Sequence, residues 1–284
     1  MRIFNQQITK LPPKKSRPWG LLSQLIQRCQ SPLERPSQAK RRLNQQRLAS
    51  LAEIETQPAA AQTGRVITLV AVLPGRTLDL AAYLLPWLRS VHQVGLRGTL
   101  LYAGECDTAV VRRLYPTIEL IPVTIGTRHL FLERHFAIRD YLRQITDEFV
   151  CITDGVDVAF RRDPFEILRE DPQRLYLGRE DNLIGESRHT LKKMLDAYQN
   201  LYHQHQPVFN PGIIGGHRDR VLGLLNHLTT EIDSLDCRSV DCDMGIYNKV
   251  VHDHDSLDNI VTGEPLHSRF SHWEFTTPAA IMHK

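Results

Sequence analysis

The sequence has 284 residues, of which 42% are hydrophobic and 24% are charged. These proportions are those of an ordinary globular protein, so a disordered or fibrous chain is excluded. The net charge of +3 is unevenly distributed, because residues 1–65 carry 12 Lys/Arg and 3 Asp/Glu whereas residues 66–284 carry 23 and 29. The larger part of the chain is therefore mildly acidic, which argues against a nucleic-acid-binding core and predicts that no nucleic acid is among the partners.

We interpret residues 1–64 as a basic leader and linker, and residues 65–284 as the folded domain. Within the leader, Pro18–Cys29 places a tryptophan and several leucines on one side of a predicted helix, with Lys and Arg on both flanks. This pattern favours a helix lying on an anionic membrane surface. The alternatives are a helix that docks on another protein and an unstructured leader.

The sequence predicts a protein of the cytoplasm, with the cytoplasmic face of a membrane as an alternative location. No window reaches the roughly 18 apolar residues that span a bilayer, and the start of the chain lacks the apolar stretch of a secretory signal. The five cysteines are odd in number and widely scattered, which indicates reduced thiols.

The folded domain is expected to begin with Val66–Leu73, a continuous apolar run rich in β-branched residues and closed by a Pro-Gly turn. Such a run is typical of a strand buried on both faces of a parallel sheet. Helix-like and strand-like stretches then alternate: helix Thr77–Val94 with a kink at Pro86, strand Gly98–Ala103, helix Asp107–Tyr115 capped by Asp107, strand Ile118–Val123, helix His129–Ile145 and strand Phe149–Thr153. This order predicts an α/β fold with a mostly parallel, Rossmann-like central sheet flanked by helices.

The second half of the domain is less regular. Its predicted elements are strand Leu175–Gly178, helix His189–Gln204, strand Gly212–Ile214 and helix Asp219–Ile232.

The most informative stretch is Phe149–Phe165, where a buried strand runs into an acidic turn. Asp154 comes directly after the strand, and Asp157 follows three residues later. Ligands bind at the carboxyl ends of strands in open α/β sheets, and two carboxylates that converge there repel each other unless a cation neutralises them. Oxygen ligands of this kind suit Mg²⁺ or Mn²⁺. The alternative is a structural turn that Asp157 opens and Asp154 caps.

This stretch, with its Asp-x-x-Asp followed by Phe-x-x-Asp-Pro-Phe, resembles the DxD-type motif region of GT-A-fold glycosyltransferases, the nucleotide-diphospho-sugar transferases. Four other segments are similar to elements of that family in the expected order: Arg134–Leu142 (the helix before the motif), Phe209–Gly216 (N-x-G-hydrophobic-x-G-G), Asp243–Asn248 (the D-Q-x-x-x-N helix) and Ala280–His283 (the terminal strand with its His). The resemblance covers roughly residues 66–284. It departs from the family at Met244, where Gln is usual, and in the Asp-x-x-Asp spacing, where Asp-x-Asp is usual.

The resemblance implies a GT-A-like fold behind a basic N-terminal extension, and a hexosyltransferase-like activity. A sugar would move from a nucleotide-diphosphate sugar, a UDP-sugar first among them, to a hydroxyl of a glycan, lipid or protein acceptor. It also implies that Asp154, Asp157 and His283 hold Mn²⁺ or Mg²⁺, with Asp154 also near the ribose. An imidazole ligand favours manganese. The alternative for His283 is a solvated surface residue.

Two arginines of the same predicted helix, Arg134 and Arg139, are candidates for binding the diphosphate. A guanidinium can bind phosphate oxygens with two parallel hydrogen bonds. The alternative for each is a structural ion pair, with Glu133 or Asp140.

Further candidates follow the later strands. Asn210, Gly212, Gly215 and Gly216 would offer an amide and a backbone that a sugar can approach closely, or they form a plain glycine-rich connection. The carboxylates of Glu180, Asp181 and Asp243 are candidates for a sugar hydroxyl or the general base, and Asp243 ranks first because it matches a family motif.

Two rival functions and one rival metal site remain. A non-catalytic protein that binds a nucleotide sugar or a membrane would explain the missing Gln at Met244. A metal-dependent phosphohydrolase would also use an acidic turn, although its motif normally follows the first strand. A structural zinc site could form from Cys237, Cys242, His252 and His254, but their spacing fits no common zinc pattern.

Overall fold

The computed structural model describes residues 64–186, 205–235, 243–270 and 277–283. The basic leader up to residue 63, the predicted helix His189–Gln204 and the cysteines Cys237 and Cys242 lie outside the described residues.

Seven strands form a central sheet, and two short strand pairs accompany it. The central strands are β1 (Gly64–Ala71), β3 (Gly98–Ala103), β5 (Ile118–Pro122), β6 (Phe149–Thr153), β8 (Leu175–Leu183), β9 (Pro207–His217) and β10 (Ile260–Val261), and the short pairs are β2 (Thr77–Asp79) with β4 (Glu105–Asp107) and β7 (Val158–Phe160) with β11 (Ile281–His283). The described helices are α1 (Leu80–Tyr83), α2 (Leu85–Val94), α3 (Ala109–Leu114), α4 (Leu130–Leu142), α5 (Phe165–Leu168), α6 (Arg218–Ser234) and α7 (Asp243–His254).

The predicted α/β fold with a mostly parallel sheet is confirmed. The spatial order is β10-β8-β9-β6-β1-β3-β5, and β1 is parallel to both β3 and β6, while β3 is parallel to β5. The strand β9 is antiparallel to its neighbours β6 and β8. The carboxyl ends of β1, β3, β5, β6 and β8 therefore share one edge of the sheet with the beginning of β9.

The region predicted as one helix, Thr77–Val94, is divided. Its first three residues form β2, which pairs with β4, and the rest forms α1 and α2. Pro86 lies in the first turn of α2, where a missing backbone N–H costs little, so it starts a helix rather than kinking one. Asp107 ends β4 instead of beginning the next helix, although its side chain still accepts a hydrogen bond from the backbone N–H of Ala109 at 3.0 Å.

The sheet separates two apolar layers. On one face it packs against α4, α6 and α7, with Leu132, Leu228 and Ile246 among the buried side chains. On the other face it packs against α2, α5 and the β7–β11 pair, with Trp87 and Phe160 buried. Residues at the carboxyl edge of the sheet can therefore contact side chains from both layers.

The described helices include none long and apolar enough to cross a membrane.

Two arginines share one carboxylate at the opposite, amino edge of the sheet. Asp147 accepts hydrogen bonds from Arg65 Nε and Arg97 Nη1, each at 2.9 Å, and its side chain is only 5% exposed. Arg65 also contacts Glu119 at 2.6 Å. This network joins the loop before β6 to β1 and to the beginning of β3, and so fixes the strand that carries the acidic turn.

We expect Asp147→Ala to lower the free energy of unfolding by about 3 kcal/mol, because it leaves the buried Arg65 without its main partner. Glu119 still contacts that arginine, which keeps the loss from being larger. Asp171→Ala is the control, because Asp171 pairs with Arg174 while both side chains are more than 40% exposed, and its loss should stay below about 1 kcal/mol. Urea unfolding measures both, and equal losses would contradict the account.

Candidate metal and sugar-nucleotide site

Strand β6 carries Asp154 to the carboxyl edge of the sheet. All five residues of β6 are buried, and its last residue, Thr153, accepts a hydrogen bond from Trp87 Nε1 at 2.9 Å. One residue further on, the backbone N–H of Asp154 donates to the carbonyl of Gly212 at 2.9 Å. The start of the acidic turn is therefore fixed by a helix on one side and by β9 on the other.

The turn after Asp154 then crosses to the β7–β11 pair. A Cβ atom at Gly155 would lie 2.6 Å from Leu84 Cδ2 and 2.9 Å from Thr68 Oγ1, so a larger residue would have to displace these two buried side chains. Asp157 is the last residue before β7, and the first residue of β7, Val158, pairs with His283 on β11. The strand pairing thus brings His283 beside Asp157, although 126 residues separate them in the sequence.

Asp154, Asp157 and His283 form a cluster in which each residue offers one ligand atom and all three atoms lie within 4.8 Å of one another. The side chain of Asp154 is 39% exposed, whereas His283 is 3% exposed. Among the described residues, neither ring nitrogen of His283 has a hydrogen-bond partner. Burial lowers the pKa of His283 to about 4, and the nearby Asp154 carboxylate only partly opposes this effect. At neutral pH the imidazole is therefore uncharged, which is the form that binds a metal.

Two residues that the sequence did not suggest hold His283 in place. The hydroxyl of Ser268 accepts from the backbone N–H of His283 at 3.0 Å and donates to its carbonyl at 3.3 Å. The ring of Phe270 packs on the imidazole with 4.8 Å between the ring centroids. Neither residue belongs to a recognisable motif, and only the pairing of distant segments brings them to the cluster.

Strand β9 bulges opposite the acidic turn. In the pairing of β8 with β9, Leu177 faces Ile214, but the next residue, Gly178, faces Asn210. Residues 211–213 are therefore extra on β9, and this irregularity lies at the end of β6. A bulge of this kind bends the strand and redirects its side chains.

Gly212 lies beneath the cluster and leaves room for it. A Cβ atom there would lie 2.7 Å from His283 Cε1 and 2.9 Å from Asp154 Oδ2. The amide of Asn210 fixes this position, because its Oδ1 accepts from the Gly212 N–H at 2.8 Å while its Nδ2 donates to Glu180 Oε1 at 3.3 Å. The structure therefore brings Asn210, Gly212 and Glu180 to the predicted site.

Arg134 joins Asp154 to a second, buried carboxylate. Its Nη1 donates to Asp154 Oδ1 at 3.0 Å and its Nη2 to Asp243 Oδ2 at 3.2 Å. His135 Nε2 lies 3.2 Å from the other oxygen of Asp243. Burial alone would lower the pKa of Arg134, but Asp243 and Asp154 raise it above its ordinary value. Burial alone would likewise raise the pKa of Asp243, but Arg134 and His135 hold it below its ordinary value.

The three carboxylates expected to contact sugar or to act as base differ in their surroundings. Asp243 is 6% exposed, and its two oxygens hydrogen-bond Arg134 and His135. Its contacts are therefore those of a residue that positions Arg134. Glu180 is half-buried next to Asn210, and Asp181 is exposed on the neighbouring position of β8. Of these three carboxylates, Glu180 is the one that is partly exposed and connected through Asn210 to Gly212 beneath the cluster.

Three of the predicted binding residues do not reach the cluster. Arg139 contacts Asp140 and donates to Thr229 Oγ1 on α6 at 2.8 Å, so its guanidinium is engaged on the opposite side of α4 from Arg134. Gly215 and Gly216 pair with the middle and the amino-terminal half of β6, away from the acidic turn. Their lack of side chains serves strand packing rather than ligand approach.

The segment Asp243–Asn248 also stabilises the fold. Asn248 is fully buried and clamps β9, because its Oδ1 accepts from the Phe209 N–H at 2.7 Å and its Nδ2 donates to the Phe209 carbonyl at 3.0 Å. Met244 packs against the apolar core on the α4–α6–α7 face. A methionine at this position therefore contributes to packing.

Comparison with known families does not identify the chain. No protein-family model matches the sequence, and no curated protein matches it. The case for a function therefore rests on the geometry of the carboxyl edge and on the five motifs.

We expect Gly212→Ala to weaken Mn²⁺ binding by more than tenfold, because the added Cβ must displace Asp154 or His283. The matched control is Gly223→Ala on α6, where a Cβ meets nothing within 4 Å. That substitution should leave Mn²⁺ binding unchanged and raise stability by about 0.5–1 kcal/mol. Isothermal titration calorimetry and thermal unfolding measure the two effects. Equal Mn²⁺ affinity in the two variants would show that Gly212 does not shape a metal site.

Proposed function

We propose that the chain is a metal-dependent glycosyltransferase of GT-A-like fold that moves a sugar from a nucleotide-diphosphate sugar to an acceptor hydroxyl. The observation that carries this proposal is the Asp154–Asp157–His283 cluster at the carboxyl edge of the sheet, with Arg134 bound to one of its carboxylates. A UDP-sugar is the first donor to test. The proposed acceptor is a hydroxyl of a glycan, a lipid or a protein.

The residues of the cluster fit a divalent cation. Both nitrogens of the buried His283 lack a partner among the described residues, which is a costly state unless a ligand occupies one of them. Two carboxylates and one imidazole suit Mn²⁺ well and Mg²⁺ less well. Such a cation, when bound, neutralises the charge that develops on a nucleoside diphosphate leaving group.

The protein's own groups add to this electrostatic stabilisation. Arg134 remains cationic because two carboxylates hold it, and it contacts Oδ1 of Asp154, a member of the cluster. A fixed cation next to a leaving diphosphate stabilises the transition state without reorganising when the reaction occurs. Asp243 and His135 keep the guanidinium in this position.

The remaining site residues support binding of the sugar. Asn210 hydrogen-bonds the backbone of Gly212, and Glu180 hydrogen-bonds Asn210, so this amide and carboxylate are available to hydrogen-bond sugar hydroxyls. Glu180 therefore replaces Asp243 as our first candidate for the general base. The basic leader would hold the protein at an anionic membrane surface on the cytoplasmic side.

A non-catalytic protein that binds a nucleotide sugar is the second candidate. The observation in its favour is that both oxygens of Asp243, the carboxylate that matches the family motif, are engaged in hydrogen bonds. Turnover separates the two, because the transferase releases nucleotide from its donor and the binding protein does not.

We expect Asp157→Asn and His283→Ala each to weaken Mn²⁺ binding by at least tenfold, because each removes one ligand from the cluster. The same variants should lose metal-dependent binding of UDP. The control is Asp171→Asn, which changes a carboxylate before β8, at the opposite edge of the sheet. Calorimetric titration with Mn²⁺, and then with UDP in its presence, checks both effects. Wild-type protein that binds neither would rule out the proposed function.

The two arginines of α4, Arg134 and Arg139, allow a matched test of turnover. We expect Arg134→Lys to lower the rate of nucleotide release from the donor by roughly 10²-fold, because lysine lacks the planar fork with which Arg134 contacts Asp154 and Asp243 through separate nitrogens. Arg139→Lys should change the rate by less than about threefold, since its partners Asp140 and Thr229 lie away from the cluster. The assay uses a panel of UDP-, GDP- and CMP-sugars with Mn²⁺. Equal losses in the two variants would contradict the role given to Arg134.

A further inference from the structure

The first turn of α4 presents an aromatic ring to solvent next to Arg134. Phe131 is 44% exposed. The exposed large hydrophobic side chains among the described residues are Leu73, Tyr83, Leu85, Leu114, Phe131 and Leu257. Phe131 is the one phenylalanine among them.

Polar groups of the site hold this ring. The guanidinium carbon of Arg134 lies 5.4 Å from the centroid of the Phe131 ring, and the same arginine donates to Asp154 at 3.0 Å. The imidazole of His129 meets the ring edge-on, with 5.0 Å between the centroids. Single exposed apolar side chains are common on protein surfaces. Phe131 differs from them because an arginine of the candidate site and a second aromatic ring fix its orientation.

The position of Phe131 on α4 places it on the outer side of the site. It precedes Arg134 by three residues, which is nearly one turn, so it lies about 4.5 Å further along the axis toward the beginning of the helix. Phe131 is also the more exposed of the two residues, at 44% against 13% for the Arg134 side chain. A nucleotide diphosphate held at Asp154 and Arg134 would therefore leave the Phe131 ring for the second substrate.

We propose that Phe131, with His129 at its edge, is the platform on which a pyranose ring of a glycan acceptor stacks. The C–H face of a pyranose is apolar, and an exposed, pre-oriented aromatic ring is a suitable surface for it. This inference rests on the proposed function and narrows the acceptor to a carbohydrate, in place of a lipid or protein. It makes Phe131 a determinant of acceptor binding with no part in binding the metal or the nucleotide.

Saturation-transfer difference NMR on the full chain tests the platform directly. The probes are the methyl glycosides of glucose, galactose, mannose and N-acetylglucosamine, in the presence of UDP and the diamagnetic ion Mg²⁺. The variants are Phe131→Ala, Phe131→Trp and, as a control of equal exposure, Leu257→Ala. Calorimetric titration of the same samples with UDP reports on the nucleotide site.

We expect at least one glycoside to receive saturation at its ring C–H protons. Its affinity should fall by roughly three- to tenfold in Phe131→Ala, return in Phe131→Trp and stay unchanged in Leu257→Ala, while UDP affinity stays the same in all three. Unchanged glycoside affinity in Phe131→Ala, or no glycoside binding by the wild-type chain, would overturn the proposal. A loss of UDP affinity in Phe131→Ala would also overturn it, because the ring would then serve the nucleotide site, either directly or by holding Arg134. Phe131-dependent glycoside binding by a protein that binds no nucleotide would support the platform and contradict the proposed function instead.

Discussion

The organisation of the carboxyl edge depends on how the carboxylate of Asp154 is shared between the two layers of the fold. Its Oδ1 accepts from Arg134 on the α4 side, and its Oδ2 lies above Gly212 on the side of His283. The residue directly follows β6, the strand that lies between these layers. One carboxylate thereby connects a permanent cation to a cluster of metal-ligand type.

This sharing is stable because buried charges compensate each other. Arg134 would be costly to bury alone, and so would Asp243, but each supplies the partner that the other needs. His135 completes the pair by engaging the second oxygen of Asp243. The ligand cluster instead brings two carboxylates together with an uncharged imidazole. Converging carboxylates repel each other, and this is the physical reason for expecting a cation there.

The sequence predicted the local features of this site better than the distant ones. The buried run Phe149–Thr153 and the carboxylates after it were identified, because hydrophobic pattern determines where a buried strand ends. The choice between Arg134 and Arg139 could not be made, because residues five apart lie on different faces of a helix and packing against α6 decides which face meets the cluster. The glycine-rich pattern does not distinguish Gly215 and Gly216 from Gly212, yet each step along a strand moves about 3.3 Å away from the edge. The bulge that positions Gly212 depends on the pairing of β9 with β8. A local sequence pattern does not predict this pairing.

The most direct test of the central claim is pulsed electron paramagnetic resonance of Mn²⁺ bound to the full chain. If Asp154, Asp157 and His283 bind the ion, the echo will carry nitrogen modulation from one imidazole. This modulation will persist in a variant such as His252→Ala, whose ring hydrogen-bonds the carbonyl of Pro207, and it will disappear in His283→Ala. Bound Mn²⁺ without nitrogen modulation, or with modulation that survives the loss of His283, would contradict the account.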